Sequence, residues 1–185
     1  MYVVAQPQAA VQRPVPFELL LFSTDTDFVA RAASAGVDGF IVDWEYRGKE
    51  RRQAGADTQI NRDTLVDLRR VRAATQRRVI CRINGWGSTT AREVEQAIDG
   101  GVDEILLPMV RGAAEVERVL ELVRGRCGLG ILVETLPAAR HITSFGRLPL
   151  SRVYVGLNDL AIARRTANIF VPLVDGTLEH VRRQV

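Results

Sequence analysis

The sequence predicts an α/β chain of the (β/α)8 TIM-barrel type, cut to about six βα units, within 185 residues. Three observations predict it. Short β-branched or Leu-rich runs alternate with segments of helical pattern along the whole chain. The last four runs start roughly 25 residues apart, natural for βα units and too tight for two domains. The runs are also apolar on both faces, as strands in a parallel sheet covered by helices must be. A doubly wound open sheet meets the same conditions and stays open as the alternative.

The elements follow in order. The strand runs are FELLLF (17–22), GFIVDW (39–44), RVICRI (78–83), EILLPMV (104–110), GLGILVE (128–134) and RVYVGL (152–157). Amphipathic segments lie at 26–35, 63–75, 89–99, 113–124, 136–146 and 172–184. Asp63-Thr64 marks one helix start, and Ser88-Thr89-Thr90 another, with Glu93 placed to complete a capping box. A complete (β/α)8 barrel takes about 250 residues. Here the chain reaches VDGTLEHVRRQV after the sixth unit. Either the barrel lacks two units, the sheet is open, or another chain completes it.

Composition narrows the function classes. The chain is 46% hydrophobic and 25% charged, with mean hydropathy near zero, the profile of one globular domain and not of a disordered or disulfide-stapled chain. No apolar run of about 18 residues is present, so no membrane span is expected. Residues 1–16, MYVVAQPQAAVQRPVP, read as a loose leader and not as a signal peptide. Cys81 and Cys127 lie far apart without metal-type spacing, which fits a reduced cytoplasmic protein. The net charge is only +3 despite a pI of about 9.3, and arginines alternate with acids, which disfavours a nucleic-acid face. The single lysine, Lys49, sits in the polar stretch RGKERR, expected to be a solvated loop; this disfavours Schiff-base chemistry.

The polar residues fall at the C-terminal strand ends, where a barrel places its functional groups. These are Asp43-Trp44-Glu45-Tyr46, Arg82-Ile83-Asn84, Pro108-Met109, Glu134-Thr135 and Gly156-Leu157-Asn158-Asp159. A period of two puts Asp43 with Glu45, and Arg82 with Asn84, on shared faces. Charges at the ends of apolar strands are costly unless paired, metal-bound or catalytic. Glu134 and Asp159, from adjacent strands, suit a hard divalent cation, Mg²⁺ or Mn²⁺. Arg82 suits a developing enolate or a carboxylate. Backbone N–H groups around Asn158-Asp159 suit a substrate carboxylate. Such a set handles a 2-oxo acid. His141 and His180 fall on helical segments away from the rim, so a Ser/His/Asp triad is not expected. Cys81 alternates with Arg82 and is expected to face the helices. Trp86 is a candidate for the mouth of the site or for ordinary packing.

Five segments carry a resemblance: GVDGFIVDWEYRGKE, RVICRINGWG, GVDEILLPMVRGAAEVERVL, ILVETLPA and SRVYVGLNDLA. In order and spacing the sequence resembles the HpcH/HpaI aldolase and citrate lyase β-subunit family, a TIM-barrel superfamily of the phosphoenolpyruvate/pyruvate type. The resemblance runs from about residue 19 to the C-terminus and implies a truncated barrel, because strands 7 and 8 of the family and its C-terminal helix have no counterpart. It makes Glu134 and Asp159 the metal ligands, Arg82 the arginine on the oxo or enolate oxygen, and Asp43 and Glu45 the acidic strand-2 motif among the catalytic residues. Gly156, Leu157, Asn158 and Asp159 become the turn that seats the substrate carboxylate. Two positions depart from the aldolase branch: Tyr46 stands where that branch has histidine, and Leu132 where it has glutamine.

The resemblance implies a metal-dependent carbon–carbon lyase over residues 17–185, acting on a 2-oxo acid or related carboxylate or CoA thioester through a metal-stabilised enolate. Its expected partners are an oxo acid or acyl-CoA, which RGKERR would be placed to touch, and further copies of itself as a homo-oligomer. The alternative is a catalytically inactive barrel fragment serving as a structural or partner-binding piece.

Overall fold

A computed structural model describes residues 17–53 and 61–185. The leader expected over residues 1–16 lies outside the described residues. The first half of the chain forms β1 (Leu20–Phe22), α1 (Thr26–Ser34), β2 (Gly39–Asp43), α2 (Lys49–Arg52), α3 (Leu65–Ala74), β3 (Arg78–Arg82) and α4 (Thr90–Asp99). The second half forms β4 (Glu104–Leu107), α5 (Ala113–Val123), β5 (Gly128–Val133), α6 (Leu136–Arg140), α7 (Ile142–Phe145), β6 (Arg152–Val155), α8 (Leu157–Arg164), α9 (Val171–Val174) and α10 (Thr177–Gln184). No helix among the described residues is long and apolar enough to cross a membrane.

The six strands form one sheet, all parallel, in the order β1-β2-β3-β4-β5-β6. A doubly wound sheet reverses its strand order at a switch point; this one never does, so that alternative is excluded. The sheet is curled. Arg152, at the start of β6, reaches Glu18, just before β1, at 2.7 Å, tying the two edge strands at their N-terminal ends. The architecture is a curled, six-stranded parallel half-barrel with helices on its outer face.

Alternation along each strand divides the core in two. Ile41, Ile80, Leu106 and Leu132, with Leu20 beside them, pack on the inner, concave face. Phe40, Val42, Val79, Cys81, Ile105, Leu107, Ile131 and Val133 pack outward against the helices. Cys81 is fully buried there, and burial pushes its thiol well above its ordinary pKa. Below the inner layer, buried Glu104 pairs with Arg152 at 3.1 Å and Arg78 at 3.6 Å. Gly130 leaves room for it: a Cβ there would lie 2.7 Å from Glu104 Oε1.

Several elements differ from the sequence expectation. The segment 136–146 is two helices, α6 and α7, broken at His141. The last segment also divides, because Gly176 at φ +85 turns the chain between α9 and α10. The α3 start at Thr64 is as expected, with a capping box completed by Asp67. At α4 the box does not form. Glu93 turns inward instead, where its carboxylate accepts hydrogen bonds from Asn84 N (2.9 Å), Asn84 Nδ2 (3.1 Å) and Thr89 Oγ1 (2.7 Å). The stretch RGKERR is in part a short helix, α2, begun by Gly48 at φ +69; Arg47, Gly48 and Glu50 are exposed as expected, but Lys49 is buried.

Candidate active site

The C-terminal strand ends open onto a cavity of about 1060 Å³, lined by Arg82, Glu134, Asp159 and Lys49 over a floor including Ile41, Leu106 and Leu132. Asp43 and Arg82 are register partners on neighbouring strands, and both point inward. Asp43 is fully buried. Its Oδ1 accepts from Arg82 Nε at 2.8 Å and its Oδ2 from Arg82 Nη2 at 2.7 Å, a bidentate pair. Lys49 Nζ (3.1 Å) and Asn61 Nδ2 (3.3 Å) also donate to Oδ2. Burial alone would raise the Asp43 pKa, but Arg82 and Lys49 outweigh it and hold the carboxyl below its ordinary value. The Arg82 guanidinium also lies over the Phe22 ring, 4.9 Å from its centre.

Glu45 is equally buried and makes three ion pairs, with Arg52 (2.7 Å), Arg82 (3.5 Å) and Lys49 (3.7 Å). Lys49 is thus an enclosed cation shared by two carboxylates, only 2% exposed. The solvated-loop reading of this residue is corrected. Its ammonium nitrogen is held between the Asp43 and Glu45 carboxylates. Asp159 accepts from Arg52 Nε at 2.5 Å and from Gln53 Nε2 at 2.9 Å. Sequence reasoning missed Arg52 and Gln53. The i, i+3, i+4 spacing of Lys49, Arg52 and Gln53, one face of a helical turn, is the signal that points to them.

Glu134 is different. It is 3% exposed, accepts a 2.8 Å bond from Met109 N and has no ion-pair partner among the described residues. Met109 sits at φ +56, a left-handed conformation uncommon for a side chain of this size, and it aims this N–H at the carboxylate. Burial pushes the Glu134 pKa up to about 7; the Met109 bond opposes the rise, while the charges of Glu45 and Asp159 add to it. Gly156 allows the carboxylate its place. A Cβ on Gly156 would stand 2.4 Å from Glu134 Oε2 and 2.8 Å from Glu134 Cβ. Gly156→Ala is therefore expected to cost about 1–3 kcal/mol from overpacking. Gly87→Ala, whose Cβ would meet only a backbone oxygen at 3.8 Å, serves as the control. Urea unfolding of both variants checks this, and equal midpoints would refute it.

Gly156, Leu157, Asn158 and Asp159 all line the cavity, but three of them belong to a helix and not a turn: Leu157 begins α8. The first-turn N–H groups of any helix lack intrahelical acceptors and favour an anion. Asn84 does not share the cavity with Arg82. Its Oδ1 accepts from Tyr46 N (3.2 Å) and Arg47 N (3.0 Å), so it fixes the chain between β2 and α2. Trp86 packs outside, under Arg118, while His141 and His180 are exposed and do not line the cavity.

Residues 18–144 match the sequence profile described as HpcH/HpaI aldolase/citrate lyase. The chain belongs to this family. Solved structures agree in fold. An HpcH/HpaI aldolase from Desulfitobacterium hafniense superposes with a TM-score of 0.68 at 18% identity, over 90% of this chain and 73% of that one. The citrate synthase SbnG gives 0.70 at 16% identity, over 91% and 72%. A family protein from Burkholderia cenocepacia gives 0.68 at 14% identity, over 89% and 73%. The sequence matches no curated protein.

Within the HpcH/HpaI frame, the match takes in Asp43, Glu45, Arg82 and Glu134, while Asp159 lies beyond it. Tyr46, at the aldolase-branch histidine position, is 50% exposed and outside the cavity lining; Leu132, at the glutamine position, lines the floor. Among the described residues no three His, Cys, Asp or Glu side chains converge as a ready-made metal cage. Glu134 and Asp159 do follow adjacent, paired strands and line one cavity. Two hard oxygen donors with space beside them fit a cation that keeps water or substrate oxygens in its other positions, as Mg²⁺ does. The residues present fit the group.

Proposed function

We propose that this HpcH/HpaI family chain is a carbon–carbon lyase of the aldolase type, dependent on Mg²⁺ or Mn²⁺, acting on a 2-oxo acid or a related carboxylate or CoA thioester. The observation that carries the reading is the convergence of Arg82, Glu134 and Asp159 on one cavity at the C-terminal ends of β3, β5 and β6. A divalent cation held by Glu134 and Asp159 would supply Lewis acidity beside the substrate's C1 and C2 oxygens.

The chain's own groups divide the remaining work. Arg82 Nε and Nη2 are committed to Asp43, which leaves Nη1, 3.5 Å from Glu45, to donate to the C2 oxygen as negative charge develops there. Asp43, with Lys49 beside it, fixes the guanidinium plane. In this reading Asp43 and Glu45 are orienting groups for Arg82. The first-turn N–H groups of α8 receive the substrate carboxylate. For a 4-hydroxy-2-oxo acid, the C4 hydroxyl gives its proton to water in the cavity and the C3–C4 bond breaks. An aldehyde leaves, and the bond's electron pair enters the C2–C3 enolate, which then takes up a proton at C3.

Calorimetry with Mn²⁺, paired with aldehyde release from a panel of 4-hydroxy-2-oxo acids, tests the reading. The wild-type chain is expected to bind one Mn²⁺, and both Glu134→Gln and Asp159→Asn to bind it more than about tenfold more weakly, at least ~1.4 kcal/mol. Equal affinity in all three proteins would sink the assignment.

A further inference from the structure

The groups on α2 and just after it satisfy Asp159 before any other cation arrives. Arg52 Nε sits 2.5 Å from Asp159 Oδ1 while Nη2 of the same guanidinium sits 2.7 Å from Glu45. Gln53 Nε2 takes the other oxygen of Asp159 at 2.9 Å. This arrangement has a visible cost. Gln53 is 7% exposed, and its own Oε1 is buried without a hydrogen-bond partner among the described residues. Orphaned buried acceptors are rare enough to need a reason. Here the reason is that the amide is drawn to Asp159 by its NH₂ end.

We propose that Arg52 is a tethered cation that competes with the divalent metal for Asp159, so that metal loading is an exchange that releases the Arg52–Gln53 end of α2 from the rim. The inference rests on the metal assignment to Glu134 and Asp159 made above. A guanidinium in contact with a carboxylate shields it from a second cation and repels that cation directly. Once the metal takes Asp159, Arg52 keeps only Glu45, and the Gln53 side chain is free to turn and satisfy its buried oxygen. Lys49, on the same short helix, stays bound to Asp43 and Glu45, so the release is confined to one end of α2. An arginine that only positions Asp159 as a ligand makes the opposite forecast, because its removal would weaken metal binding.

Manganese titration followed by the paramagnetic resonance of the free ion distinguishes these. Arg52→Gln is expected to bind Mn²⁺ on the order of tenfold more tightly than wild type, with Arg52→Lys, which keeps a cation, between the two. In the wild-type chain, amide hydrogen exchange at residues 50–53 should speed up when Mn²⁺ is added, a measurement that needs no variant. Equal or weaker binding by Arg52→Gln, or slower exchange at 50–53 on loading, would overturn the exchange. A wild-type chain that binds no Mn²⁺ while Arg52→Gln also binds none would instead overturn the metal assignment, and this inference with it.

Discussion

Asp43→Ala is expected to lower folding stability by about 3–5 kcal/mol, the cost of removing one member of a buried charge network. Asp43 is fully buried and accepts from both Arg82 nitrogens, from Lys49, from Asn61 and from the Glu45 backbone. Its loss leaves two cations, whose side chains are only 14% and 3% exposed, to share Glu45 at the longer distances of 3.5 and 3.7 Å. Because pairing holds the Asp43 pKa below its ordinary value, its contribution is present above the unfolded carboxylate range and is lost as pH falls through the lowered folded value. Urea unfolding at pH 7 measures the effect. A loss under about 1 kcal/mol would mean that Arg82 and Lys49 find new partners, and that Asp43 does not organise the rim.

Glu134→Gln, in contrast, is expected to stabilise the metal-free chain. Folding raises this carboxyl from an ordinary 4.5 to about 7, so the folded state holds a proton that the unfolded state gives up. The sign is therefore the reverse of the Asp43 case: its contribution is most favourable below the unfolded value and declines as pH rises through the folded one. At about 1.4 kcal/mol per pH unit, the gap makes ionised Glu134 a liability of about 3 kcal/mol at pH 8 in chelator. Glutamine keeps an oxygen for Met109 N–H and carries no charge. The variant should unfold at higher urea than wild type at pH 8, with the difference shrinking toward pH 5. Added Mn²⁺ should stabilise the wild type more than the variant. A variant no more stable than wild type at pH 8 in chelator would show that the Glu134 charge is neutralised by another route.

What the sequence disclosed about the site follows the range of the forces involved. Strands announced themselves because two-face burial leaves unbroken apolar runs such as Phe40 to Val42, and the period of two sends Asp43 and Arg82 to the concave side. Glu134 and the 156–159 stretch could be found because they close strands whose direction is fixed by their neighbours. Lys49, Arg52 and Gln53 could not be placed by composition. Five polar residues in a row, Lys49 to Gln53, look solvated, and only contacts with Asp43, Glu45 and Asp159, the last 107 residues from Arg52, enclose Lys49, Arg52 and Gln53. Glu93 misled for a related reason. Its position suits a capping box, but its carboxylate is taken by the buried backbone and side-chain amides of Asn84 and by the Thr89 hydroxyl.

The pairing of strands in chain order bears on how this fold is reached. Every strand in the sheet needs only the strand made immediately before it, so each helical crossover closes a short loop and the sheet can grow one unit at a time from either end. The contact that ties the edges, Arg152 to Glu18, spans 134 residues and has nothing to hold until β6 is laid down. It is a clasp fastened on a sheet already assembled; a chain emerging from a ribosome can build the sheet in the order in which it is synthesised, and this clasp, like the Arg52–Asp159 pair, closes only afterwards.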